Sequence, residues 1–105
     1  YMVLGSPVGS TIITTVVQIL IDTIDFNMPL KEAVETKRFH HQWLPDKIQI
    51  ERNSFSPALI ETLEKMNHTI YKRSTIGEVN CIKIDENGIK YACSDSRRGG
   101  VSIAY

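Results

Sequence analysis

The sequence predicts an α+β fold, or a layered α/β sandwich, and three observations carry that reading. Apolar residues recur at helical spacing from Ile12 to Ile24 and again from Leu59 to Met66. Short apolar runs at Tyr1–Leu4, Ile48–Ile50, Val79–Ile84 and Ile89–Cys93 have the length and composition of strands. Asp85-Glu86-Asn87-Gly88 between the last two runs is a hairpin turn signal, because asparagine and glycine accept the left-handed backbone that tight reversals need. The resulting order is strand, helix, helix, strand, helix and then strands. With 105 residues, no repeat and no linker, residues 1–105 are expected to form a single domain.

Taken in order, Tyr1–Leu4 is apolar without alternation and is expected to be a strand covered on both faces. Ser6 can cap the following helix with Pro7 at its first position, or Ser10 can cap a later start. From Ile12 the apolar residues dominate, leaving one narrow polar stripe of Thr11, Thr15, Gln18, Asp22 and Asp25, so this is expected to be a core helix. Asn27–Pro29 ends it. Leu30, Ala33, Val34 and Lys37 outline a shorter helix whose first residue can be Pro29. Arg38–Asp46 has no period and is expected to be a structural loop, anchored by Phe39 and by a buried Trp43. Ile48 and Ile50 give a brief strand; Ser56-Pro57 opens a third helix that Asn67 can close. His68–Tyr71 reads as a strand and Gly77 as a break. Val101–Tyr105 after Gly99-Gly100 reads as a terminal strand.

Charge excludes several functions. Twelve basic and twelve acidic residues cancel and alternate, so no concentrated positive field exists for nucleic acid or anionic lipid. Ile12–Ile24 is too short and too polar to span a bilayer, so no membrane partner is expected. The chain opens on Tyr1 without a signal-like segment, as an excised piece or a mature product would.

The candidate chemistry is sparse. Three histidines and two cysteines show no CxxC, HxxxH or HExxH spacing, so no metal is expected. His40 and His41 would point apart on a regular element, and His68 lies beside a helix end. A three-residue hairpin loop would set Cys81 directly opposite Cys93, whereas a four-residue loop would not; two buried thiols and a strained disulfide are both open. No GxSxG elbow is present. The Ser6-Pro7-Val8-Gly9-Ser10 turn joins a strand to a helix whose first N–H groups have no intrahelical partner, which is where an anion or a developing oxyanion can be held.

Gly5-Ser6-Pro7-Val8-Gly9-Ser10-Thr11-Ile12-Ile13-Thr14-Thr15-Val16, Arg38-Phe39-His40-His41-Gln42-Trp43-Leu44-Pro45-Asp46, Phe55-Ser56-Pro57 and Ser94-Asp95-Ser96-Arg97-Arg98 together resemble the C-terminal part of the gamma-glutamyltranspeptidase small subunit. The resemblance runs the whole chain. It implies the αββα sandwich of N-terminal nucleophile hydrolases and a precursor that processes itself into large and small subunits. It further implies a threonine nucleophile, upstream of these residues, that hydrolyses or transfers the gamma-glutamyl group of glutathione and related compounds. The residues gripping the substrate would also lie upstream, so the fragment alone is expected to be inactive. The family's two consecutive oxyanion glycines correspond to Val8 and Gly9, whose backbone N–H groups would be the catalytic donors. No cofactor is implied, the partners would be the rest of the small subunit and the large subunit, and the location would be periplasmic or secreted. Valine at position 8 departs from the family's Ser-Pro-Gly-Gly, and Ser96 departs from its Asp-Pro-Arg. As the second residue of a helix begun at Ser6-Pro7, Val8 is expected at helical φ. A catalytically altered homologue with a binding or structural role is the alternative, and a free-standing interaction domain a third.

Overall fold

The Asp85 carboxylate accepts hydrogen bonds from the Asn87 and Ile89 N–H groups, both at 2.9 Å, and Gly88 stands at φ +79°. The chain therefore reverses over three residues, and β5 (Asn80–Ile84) pairs antiparallel with β6 (Lys90–Ser94). This register sets Cys81 opposite Cys93. Both are free and buried. β1 (Met2–Gly5) lies along the other side of β5, giving the order β1-β5-β6.

This computed structural model describes residues 1–103, and its contacts divide into two compact units. The first contains Tyr1–Thr36 and the segment from Gly77 onward, with that sheet and the helices α1 (Thr11–Ile24) and α2 (Leu30–Glu35). Its core is Ile19, Leu30, Ala33, Val34, Val79, Cys81 and Cys93, with Met2, Leu4 and Met28 packed against it. Only one face of the sheet is covered. β1 alternates half-buried and exposed residues rather than being covered on both faces, and Val3 and Ile82 remain open.

Two expectations for α1 are overturned. Its buried stripe is Thr11, Thr15, Ile19 and Thr23, while Ile13, Val17, Ile21 and Ile24 are exposed, so the small polar residues turn inward and the apolar face outward. Thr23 is satisfied on the helix itself, by a 2.7 Å bond from its Oγ1 to the Ile19 carbonyl, and Thr11 by the Val8 carbonyl before the helix, whereas Thr15 Oγ1 has no hydrogen-bond partner among the described residues. Of the two starts left open the helix takes the later one, beginning at Thr11 after Ser10. Val8 accordingly stands at φ +87° and Gly9 at φ +55°, both left-handed, rather than at the helical φ expected for Val8. Pro7 presets only its own φ; the change of direction from β1 into α1 falls on the two residues after it.

The second unit, Lys37–Ile76, holds β2 (Phe39–His40), β3 (Ile48–Glu51), α3 (Pro57–Lys65) and β4 (Ile70–Arg73). β3 pairs antiparallel with β2 and parallel with β4. Ser56 caps α3 by accepting from the Leu59 N–H at 3.2 Å, and Asn67 follows its end at φ +68°. The buried residues are unusually polar: Arg38, His40 and Glu51 join Ile50 and Ile76. Glu51 makes this possible by accepting from the Arg38 N–H at 2.7 Å and the Ile76 N–H at 3.0 Å, while the Arg38 guanidinium donates to the Ile76 carbonyl at 2.8 Å. Trp43, expected to be the buried anchor, is 77 % exposed at the tip of a tight turn with φ +71°. The segment is fastened at its base instead, by Arg38 and Glu51.

Val101–Ile103 form no strand, and the remainder of the expected terminal strand, Ala104 and Tyr105, lies outside the described residues. Among the described residues no helix is long and apolar enough to cross a membrane.

Candidate active-site turn

The turn from Gly5 to Thr11 is built on hydroxyls. Ser6 Oγ donates to the Pro7 carbonyl at 3.0 Å and accepts from the Glu78 N–H at 3.1 Å. Thr11 Oγ1, buried, donates to the Val8 carbonyl at 2.8 Å, and the Ile12 N–H donates to the Gly9 carbonyl at 3.2 Å. Gly77 permits the close approach behind this turn, since a Cβ there would stand 2.5 Å from Thr15 Oγ1 and 3.1 Å from Ser6 Oγ. With φ +69° it also holds a backbone conformation that side chains disfavour.

Val8 and Gly9 are exposed, and among the described residues none accepts a hydrogen bond from either N–H. Ser10, at the N-cap position of α1, makes no side-chain cap bond, and the first turn of α1 carries no acidic residue. Two donors without an acceptor among the described residues thus lie on exposed residues just before the positive end of a 14-residue helix, an arrangement suited to an anion or to charge developing on a carbonyl oxygen. Thr11 and Gly77 were not singled out as parts of this site from sequence, and Ser6 was read as a helix cap rather than as a donor to the Pro7 carbonyl. The available signal was a hydroxyl three residues after Val8.

The other candidates are structural. His40 is buried and its Nε2 lies 2.9 Å from Gln42 Oε1, whereas His41 Nε2 lies 3.1 Å from Asp46 Oδ1, so the neighbours serve different contacts. Among the described residues no cluster of three metal-binding side chains occurs. Burial pushes the Cys81 thiol up to about 11, helped by Cys93 opposite, and burial also raises Cys93, which leaves both as poor nucleophiles at neutral pH. The buried Asp95 carboxylate accepts from the Val79 N–H at 3.2 Å and from the Arg97 guanidinium at 3.0 Å. Arg97 in turn donates to the Val34 and Thr36 carbonyls at the end of α2. Ser96 uses both its N–H and its hydroxyl on Glu35, at 3.1 and 2.6 Å; a proline could supply neither.

The sequence pattern of the family described as Gamma-glutamyltranspeptidase matches residues 1–105. The chain is 39 % identical, over 92 % of its length, to the glutathione hydrolase proenzyme of Escherichia coli (strain K12), of which it spans 17 %. To the glutathione hydrolase proenzyme of Pseudomonas sp. (strain A14) it is 44 % identical over 99 % of its length, spanning 20 % of that protein. Among solved structures, gamma-glutamyltranspeptidase from Pseudomonas nitroreducens complexed with L-DON matches with a TM-score of 0.91 at 32 % identity, over 99 % of this chain and 55 % of that one. The transpeptidase CapD of Bacillus anthracis, 20 % identical with a TM-score of 0.86, shares the fold. The chain thus spans at most a fifth of these curated relatives, and its architecture is an α+β fragment of the αββα sandwich of N-terminal nucleophile hydrolases. With the family pattern running from the first residue to the last, the chain belongs to the gamma-glutamyltranspeptidase family.

Proposed function

We propose that these residues are the C-terminal part of the small subunit of a working gamma-glutamyltranspeptidase, and that the Val8 and Gly9 N–H groups form its oxyanion hole. The observation that carries the reading is the pair of exposed residues with unengaged N–H groups on a left-handed turn, in a chain matched end to end by the family. In the complete protein an upstream threonine hydroxyl attacks the gamma-glutamyl carbonyl of glutathione or a related amide. A C–O bond forms as the hydroxyl proton passes to the threonine's own α-amine, the carbonyl oxygen takes the negative charge, and its collapse breaks the C–N bond, expelling the amine with that proton and leaving an acyl-enzyme for water or an acceptor amine. Donors aimed at that oxygen are typically worth about 100- to 1,000-fold in rate each. The partners are the remainder of the small subunit and the large subunit of the same autoprocessed precursor, and the setting is periplasmic or secreted. This role calls for no cofactor, nucleic acid or membrane.

A second reading, a homologue whose activity is altered and whose fold serves binding or structure, draws on valine at position 8. The two separate on one assay. The complete, processed protein is expected to release the amine from a gamma-glutamyl anilide, and the isolated 105 residues are expected to release none because the nucleophile is missing. A processed protein without turnover would establish the second reading; turnover by the isolated chain would overturn both.

A further inference from the structure

Both candidate donors belong to peptide units whose opposite ends are held. A trans peptide unit points its C=O and its N–H in opposite directions, so the Pro7 carbonyl sets the direction of the Val8 N–H, and the Val8 carbonyl sets that of the Gly9 N–H. Both units are trans, the one cis bond among the described residues being Leu44–Pro45. Ser6 Oγ holds the Pro7 carbonyl and Thr11 Oγ1 holds the Val8 carbonyl. We infer that Ser6 and Thr11 are positioning residues that aim the Val8 and Gly9 N–H groups outward by fixing the carbonyl ends of the same two peptide units. The inference rests on the oxyanion-hole reading above for its catalytic meaning, though not for its geometry.

The direction of these bonds separates this role from ordinary helix capping. A capping hydroxyl accepts from the first N–H groups of a helix and so removes them from use. Here the hydroxyls donate to carbonyls, which leaves the N–H ends open. The turn also needs holding. Val8 is β-branched and left-handed at φ +87°, a conformation that a rotation of the Pro7–Val8 unit would relieve, and that rotation would break the Ser6 bond and swing the Val8 N–H away; Gly9, without a Cβ, leaves the Val8–Gly9 unit free to rotate unless the Thr11 bond holds it. Each hydroxyl is itself fixed. Thr11 is 4 % exposed, and Ser6 Oγ accepts from the Glu78 N–H beside Gly77.

The test uses the complete processed protein and the variants Thr11→Val, which keeps the shape and loses the hydroxyl, Thr11→Ser and Ser6→Ala. An aimed donor matters most when charge develops, so Thr11→Val is expected to lower kcat about tenfold or more with KM within about twofold. Thr11→Ser, retaining the hydroxyl, is expected to recover most of the loss. Crystal structures of the same proteins are expected to show the Val8–Gly9 peptide unit rotated in Thr11→Val and in place in Thr11→Ser. An unmoved peptide unit in Thr11→Val, or equal losses of kcat in Thr11→Val and Thr11→Ser, would overturn the positioning role. Should Thr11→Val fail to fold, Ser6→Ala carries the same two readouts on the Pro7–Val8 unit. A wild-type protein without gamma-glutamyl turnover would defeat the oxyanion-hole reading instead, and the orientation of the peptide units would still decide the positioning role.

Discussion

Val8 concentrates a conflict between backbone and chemistry. Left-handed φ costs an L-residue about 1–2 kcal/mol and a β-branched one more, whereas glycine pays about 0.5–1 kcal/mol in chain entropy for its freedom. At φ +87° the first figure outweighs the second, so Val8→Gly is expected to stabilise the complete protein by about 1 kcal/mol. It is also expected to raise kcat, because two methyl groups leave the space beside the Gly9 N–H. Denaturant unfolding and turnover of the same preparation check both halves, and a lower stability in the glycine variant would mean that the turn is not strained. This conformation was not legible in the sequence. Ser6-Pro7 is a local helix-start signal that would carry Val8 at helical φ, and the requirement that overrides it is the path from β1 to Thr11, which only the folded chain reveals. What was legible is that Val8 and Gly9 occupy a strand-to-helix turn, because its small residues and proline are local signals.

At the level of elements, the hairpin was the most legible part, since Asp85, Asn87 and Gly88 settle their own geometry within five residues. Which face of α1 turns inward was not. Periodicity marks an apolar stripe, but in a chain that spans at most a fifth of these curated relatives that stripe need not face this chain's own core. Trp43 misled in a similar way, as a large aromatic whose neighbours make a surface turn, while the fastening passed to a buried arginine and glutamate. The β5–β6 pairing makes a pH prediction. Burial, with Cys93 opposite, raises the Cys81 thiol from its ordinary 9.0 to about 11, so the folded state disfavours the thiolate more than the unfolded state does. The stabilisation is fully present below pH 9 and is lost as pH rises from there toward about 11. Replacing Cys81 with alanine is expected to flatten the fall in stability across that window relative to the parent protein. Identical slopes for the two would show that the thiol ionises no harder in the fold than in the open chain.

For the molecule as a whole, the open question is what its apolar outer surfaces are for. On the first unit Ile13 is 73 % exposed, Ile24 64 % and Phe26 71 %, all on α1 or just after it. Val3 and Ile82 lie half open on β1 and β5. Isolated apolar residues on a surface need no explanation, but a helix that exposes Ile13, Val17, Ile21 and Ile24 together does, because soluble monomers rarely leave continuous apolar patches of more than a few hundred Å² uncovered. A working enzyme would cover them with the remainder of the small subunit and the large subunit proposed above. The isolated 105 residues are therefore expected to associate in solution and to enhance the fluorescence of a dye that reports apolar surface, and the complete processed protein is expected to do neither at equal concentration. Light scattering after size exclusion, with dye titration alongside, reads both. Replacing Ile13 and Ile24 with glutamate is expected to suppress association of the isolated chain and, in the complete protein, to interfere with assembly of the subunits. A monomeric, dye-silent isolated chain would show instead that these faces are tolerated in water, and the outward stripe of α1 would then have to be explained without a covering partner.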